Sequence, residues 1–280
     1  MGGSSVDPKT LNDIPPWEWP EGVGETFLGI LGDDQADESD RLLTAELAGD
    51  FTVINDELVE ALLAIVRSGG ETDELRGTAS ISLGPALEYA STMGFEDADD
   101  MLLSEEVFQQ IQQSLQELFL EADVPEGVRR RILETSVRAP QDWHRDAIRE
   151  AYSSDEEAWR LTAVFCMQSV RGFDEQILEA LDSDAADIHY QAVCAAGSWE
   201  VDAAWPHIAA LVTSDETDKA LLLAAIEAVA SIRPEEAPEI LGDLTDADDE
   251  DIVEAAFEAL AMAEGLTEDE DDEESDDEYF

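Results

Sequence analysis

An all-α fold of about seven stacked helix pairs is predicted for this 280-residue chain by three observations. The first is a recurring helix-length segment. "RLLTAELAG" from Arg41 and "RGTASISLG" from Arg76 share an arginine, a small residue three places on, and a closing glycine. "RRRILETSV" from Arg129, "RLTAVFCMQ" from Arg160, "HYQAVCAAG" from His189, "LLAAIEAVA" from Leu222 and "VEAAFEALA" from Val253 occupy the same frame. Its central position falls at Thr44, Ala79, Ile132, Ala163, Ala192, Ala225 and Ala256, at steps of 35, 53, 31, 29, 33 and 31 residues. The second observation is another apolar stripe within each later step, marked by Ile148, Ile177, Ile208 and Ile240 with neighbours at helical spacing, as in Ile177, Ala180 and Leu181. The third is that no segment sustains period-two alternation, so strands are not expected.

Taken in order, residues 1–36 read as an N-terminal extension and capping helix. "IPPWEWP" (Ile14 to Pro20) is too proline-rich for a helix or a central strand, whereas Val23, Phe27, Ile30 and Leu31 share one face of a short helix after it. A helix pair cannot cover its own apolar face, so a stack needs closed ends. Trp17 and Trp19 are expected to fold over the first full repeat, with a proline-rich docking motif as the alternative. Residues 37–266 form the repeat array. The long step holds an insertion near residues 91–104, "STMGFEDADDMLLS", which reads as a loop. Acidic turns separate the later repeats: "SSDEE" at 153, "DSDAAD" at 182, "TSDET" at 213 and "DADDED" at 246. Their Ser, Thr and Asp side chains suit helix N-caps. Residues 267–280, with ten acids in "TEDEDDEESDDEYF", are expected to be a disordered acidic tail.

The net charge is −56, from 70 acids against 14 lysines and arginines. Lys and Arg contacts to phosphate drive nucleic-acid binding, so direct binding of DNA or RNA is not expected, nor is binding to an anionic membrane. The charge suits either a surface kept hydrated in a salty cytoplasm or recognition of a basic partner. No run of 18 apolar residues is present, and the chain reads as cytoplasmic and monomeric. Cys166 and Cys194 sit in apolar runs with no ligand-like spacing, so no metal site is expected.

The repeat is similar to the HEAT family, in particular the short variety associated with phycobiliprotein lyases, and "ELRGTASISLG" (Glu74 to Gly84) carries the likeness best. The resemblance implies a right-handed superhelix, armadillo-like in outline, with a binding groove lined by the second helices. The motif arginine is replaced by His189, Leu222 and Val253 in the last three repeats.

No catalytic motif, cofactor fingerprint or metal-ligand pattern appears, and His144, His189 and His207 are expected in three different repeats. Positive charge survives mainly in one place. Eight of twelve arginines lie between Arg129 and Arg171, in an interval with seven acids. Arg, Trp and Tyr dominate binding hot spots, so Arg129, Arg130, Trp143, His144, Arg145, Arg149, Trp159, Arg160, Tyr190 and Trp205 are the candidate partner-binding residues. The same arginines could instead only tie acidic repeats together through ion pairs. The expected function is a non-catalytic scaffold that binds another protein through the groove. The alternatives are a bilin chaperone like the lyases, or an acidic mimic of nucleic acid that binds a basic protein.

Overall fold

The computed structural model describes residues 7–95 and 102–276, with side chains as far as Gly265, and every regular element among them is helical. The chain divides into two compact units, Met1–His144 and Arg145–Phe280.

The first unit holds α1 (Pro8–Asn12), a 3-10 turn at Pro16–Glu18, α2 (Val23–Leu31), α3 (Glu38–Leu47), α4 (Asp56–Arg67), α5 (Asp73–Ser82), α6 (Gly84–Met93), α7 (Glu105–Leu120) and α8 (Glu126–Ser136). α9 (Asp142–Tyr152) begins in it. The second unit continues with α10 (Glu157–Met167), α11 (Asp174–Leu181), α12 (Ala186–Ser198), α13 (Trp205–Val212), α14 (Lys219–Ile232), α15 (Ala237–Leu241) and α16 (Glu250–Asp276). Within each unit the helices stack as pairs in the manner of an α-solenoid. α3 packs on α5 and α5 on α8 in the first; α10 packs on α12, α12 on α14 and α14 on α16 in the second. The repeat register explains why. All seven central residues, Thr44 through Ala256, are fully buried at 0% exposure; six are Thr or Ala, small enough to let neighbouring first helices approach, and Ile132 is the larger exception.

Ile148, Ile177 and Ile208 are equally buried on the second helices, but Ile240 is only half-buried and Leu241 takes the core position. α15 is a five-residue helix between two 3-10 turns, and the change in winding moves the core register by one residue. The insertion also differs from a plain loop. Residues 91–93 complete α6, and the Ser104 hydroxyl accepts from Val107 N at 3.3 Å to start α7. Residues 96–101 lie outside the described residues. The extra length is therefore largely a helix, α6, which a proline in its first turn starts and which Ala86, Leu87 and Ala90 anchor. At the other end the helical backbone of α16 runs through residues 267–276, where the composition predicts a disordered tail. Extending a formed helix costs less than starting one, and glutamate is a good helix former. Residues 277–280 lie outside the described residues.

One of the four acidic turns caps as expected, with Asp249 accepting from Asp251 N at 3.0 Å; α14 is capped by Asp218, the residue just after "TSDET", which accepts from Leu221 N at 3.1 Å. In the other three, Ser154, Ser183 and Ser214 accept from Glu156 N, Ala185 N and Glu216 N, which tightens the turn before the helix instead of capping it.

The motif arginine has a defined role in the first unit. Arg76 Nε donates to Val66 O at 2.9 Å, and Arg41 Nη2 donates to Leu31 O at 3.1 Å. Each reaches back ten residues to a carbonyl in the last turn of the preceding helix, where it satisfies an otherwise open acceptor and meets the negative end of the helix dipole. The motif glycine permits the contact between repeats. A Cβ on Gly49 would stand 2.5 Å from the carbonyl oxygen of Ser82 and 3.0 Å from its Cα. Gly49→Ala is thus expected to destabilise the protein by about 2 kcal/mol, because backbone must move to admit the methyl group. Gly29→Ala, where a Cβ meets nothing within 4 Å in the last turn of α2, is expected to be neutral or stabilising by about 0.5–1 kcal/mol. Urea unfolding of both variants checks the pair, and equal effects would show that the close approach carries no constraint.

The N-terminal segment only partly meets the expectation of a lid. Trp19 packs against the core of the first unit, donating its indole N–H to Leu11 O at 3.0 Å and meeting Phe27 edge-on at 5.6 Å. Trp17 is 78% exposed. Among the described residues no helix is long and apolar enough to cross a membrane.

Candidate binding surfaces

The candidate residues from the sequence fall into both units. In the first, Arg129 and Arg130 are half-buried, and Arg129 lies 3.7 Å from Glu126. Trp143 is half-buried, donates to Gln141 Oε1 at 2.9 Å and packs 5.3 Å from Phe119. His144 stacks on it at 3.9 Å and is completely buried, so it meets no partner. Burial pushes the His144 imidazole down to about 4.

In the second unit, Arg145 is exposed, and Arg149 pairs with Asp146 at 3.0 Å while its guanidinium lies 5.9 Å from the Phe173 ring. Trp159 is half-buried, and Arg160 lies 6.0 Å from the Tyr152 ring. Trp205 is half-buried with Arg233 at 5.9 Å from its ring, and Arg233 also binds Asp202 and Glu236. Arg171 covers Trp199 at 4.6 Å, and that indole donates to Met167 O at 2.6 Å. Ion pairs within each unit, together with guanidinium–ring packing, account for most of this cluster. Arg131 with Glu134 and Arg138 with Glu88 extend the same pattern.

The histidines differ from the sequence reading. His189 and His207 belong to one helix pair, α12 and α13, with their Nε2 atoms 2.7 Å apart and rings edge-to-face at 4.9 Å. Only one proton fits between two ring nitrogens at that distance, so at least one imidazole is neutral. Burial, then His207, push His189 below its ordinary value, while Asp218 and Asp182 oppose them. His189 occupies the frame of the motif arginine but turns to the helix that follows it. The repeat alignment could have revealed this, since His207 precedes the register residue Ile208. Among the described residues no group of three His, Cys, Asp or Glu side chains is placed to hold a metal. Burial also pushes the Cys194 thiol up, which keeps it protonated and unreactive.

Two depressions are lined by both apolar and acidic side chains. One, of about 420 Å³, lies along α14 and α16, with Leu223, Ala255, Ala259 and Met262 in its lining beside Glu227, Glu254 and Glu258. Tyr190, 36% exposed, also lines it. The other, of about 470 Å³, lies beside Trp17 in the first unit.

No family model matches this chain, and a comparison with curated proteins gives no match. Solved structures give likenesses of fold at low identity. One engineered protein is 16% identical with a TM-score of 0.46, over 93% of this chain and 71% of the other. A second engineered protein is 17% identical with a TM-score of 0.43, over 74% and 96%. Human deoxyhypusine hydroxylase in complex with glycerol is 16% identical with a TM-score of 0.39, over 94% of each chain.

Proposed function

We propose that this chain is a non-catalytic interaction module that binds a basic amphipathic segment of a partner protein in the groove along α14 and α16. The supporting observation is the composition of that groove. Alanines at 255 and 259 keep it open, Leu223 and the 40%-exposed Met262 supply apolar contact, and Glu227, Glu254 and Glu258 supply charge. A helix with apolar residues at i, i+3 and i+4 and flanking lysines or arginines matches both features at once. Acidic walls draw such a segment in and apolar contact holds it, so the two contributions separate experimentally.

The test is fluorescence anisotropy with a labelled amphipathic Leu/Lys helix and a scrambled peptide of equal charge. The amphipathic peptide is expected to bind saturably and at least about tenfold more tightly than its scramble. Met262→Asp is expected to remove that preference while helicity is retained. Equal binding of both peptides, unchanged by Met262→Asp, would favour charge mimicry of nucleic acid over this reading. Failure of both to bind at physiological salt would leave solvation as the role of the charge.

A further inference from the structure

Trp17 is too exposed to be part of a lid, and its exposure is built in rather than a loose end. The turn that carries it is closed by Glu18 N to Pro15 O at 2.9 Å and Trp19 N to Pro16 O at 3.1 Å. Pro15 and Pro16 fix the backbone entering the turn, and Trp19 pins the exit through its bond to Leu11 and its contact with Phe27. A rigid turn therefore presents an indole to solvent, against the usual gain from burying so large a ring.

Trp17 lines the cleft of about 470 Å³, together with Leu28 and Val53. Pro16, Pro20 and Trp19 supply further apolar lining, and Glu21, Glu25 and Glu57 bring three carboxylates to the same space. Among the described residues no lysine or arginine lines the cleft. Aromatic faces attract cations, and a guanidinium can stack on an indole while its N–H groups reach carboxylates.

We propose that the cleft beside Trp17 is a binding site for an arginine side chain carried by an extended segment of a partner protein. The volume admits the side chain together with its flanking backbone. The site belongs to the first unit alone. The inference takes the kind of partner from the interaction-module reading, but it is tested with a small ligand read at Trp17, so it fails separately from the groove along α14 and α16.

The experiment titrates the full chain with N-acetyl-arginine amide, and in parallel with its citrulline analogue, which keeps the shape and lacks the charge. Indole N–H resonances are followed, with Trp17 assigned through Trp17→Phe. Arginine amide is expected to shift the Trp17 signal saturably, while citrulline produces no saturable shift. Trp17→Ala, which removes an exposed side chain and preserves the fold, is expected to weaken calorimetric binding at least about tenfold. Glu21→Gln with Glu25→Gln and Glu57→Gln is expected to do the same without shifting the free Trp17 resonance. Equal response to citrulline, retained affinity in Trp17→Ala, or saturable binding of an uncharged oligoproline in place of arginine would each overturn the assignment.

Discussion

Arg41→Ala is expected to destabilise the protein by about 3 kcal/mol, more than any other single arginine replacement. Arg41 grips Glu71 with both terminal nitrogens at 2.7 Å, and Nη2 also donates to Leu31 O at 3.1 Å. The two side chains are only 9% and 18% exposed. Truncation leaves a mostly buried carboxylate without its counter-charge and opens the last turn of α2, two separate losses. The residual exposure of Glu71 keeps the effect at the lower end of the range for broken buried pairs. Arg76→Ala removes one bond to Val66 O and no ion pair among the described residues, so its effect should be smaller. Urea unfolding of Arg41→Ala, Glu71→Ala and the double variant provides the cycle. The double variant is expected to be more stable than the sum of the single losses predicts, because it strands no charge. The arginine also holds the Glu71 carboxyl below its ordinary value while burial opposes it. The pair's contribution is therefore complete above the unfolded carboxyl value and is lost as pH falls through the lower folded one. A loss under about 1 kcal/mol would place Arg41 among ordinary surface pairs.

The register residues show what a sequence can specify here. Thr44 through Ala256 were identifiable because one buried, mostly small side chain per repeat sits where first helices meet, and a step near 31 residues makes that visible in the later repeats without coordinates. The same arithmetic failed at Ile240, since a change of helix type alters the winding without leaving a mark in the spacing. It also missed α6, because the spacing places the insertion near residues 91–104, whereas the extra helix starts at Gly84, directly after α5. The surface was less legible. Clustering of arginines along the chain does not reveal that Arg149, Arg160 and Arg171 lie near aromatic rings of their own unit. Nor does the pattern "PPWEWP" say which tryptophan turns inward. That depends on whether Leu11 offers a carbonyl to an indole, a contact across eight residues.

His144 supplies the other large effect, and its direction follows from its hydrogen bonds. Gln141 N donates to Nδ1 at 2.8 Å, so Nδ1 keeps its lone pair and the proton sits on Nε2. Nε2 then donates to Ser136 Oγ at 2.9 Å, and the serine hydroxyl donates to Leu133 O at 3.2 Å. The nearby Gln141 carbonyl favours a second proton, but burial outweighs it and holds the folded value at about 4. In the unfolded chain an ordinary histidine takes its proton near 6.5. The unfolded state therefore binds more protons between these values. The stabilisation is complete above about pH 7 and falls as the solution is acidified toward pH 4. This group alone is expected to withdraw about 2 kcal/mol by pH 5. Most carboxylates are still charged at that pH, so relief of acidic self-repulsion has barely begun. His144→Gln keeps a donor and an acceptor but cannot take the proton, so its stability should decline less than that of the parent between pH 7 and 5. The His189–His207 pair is common to both proteins and cancels from the difference. A proton NMR titration gives the site directly: the His144 ring signal should stay flat from pH 8 to 5, and a midpoint near 6.5 would remove the buried network as the cause. The same flat titration rules His144 out as a base poised for catalysis near neutral pH, because a group with so low a value accepts a proton too weakly to drive the transfer.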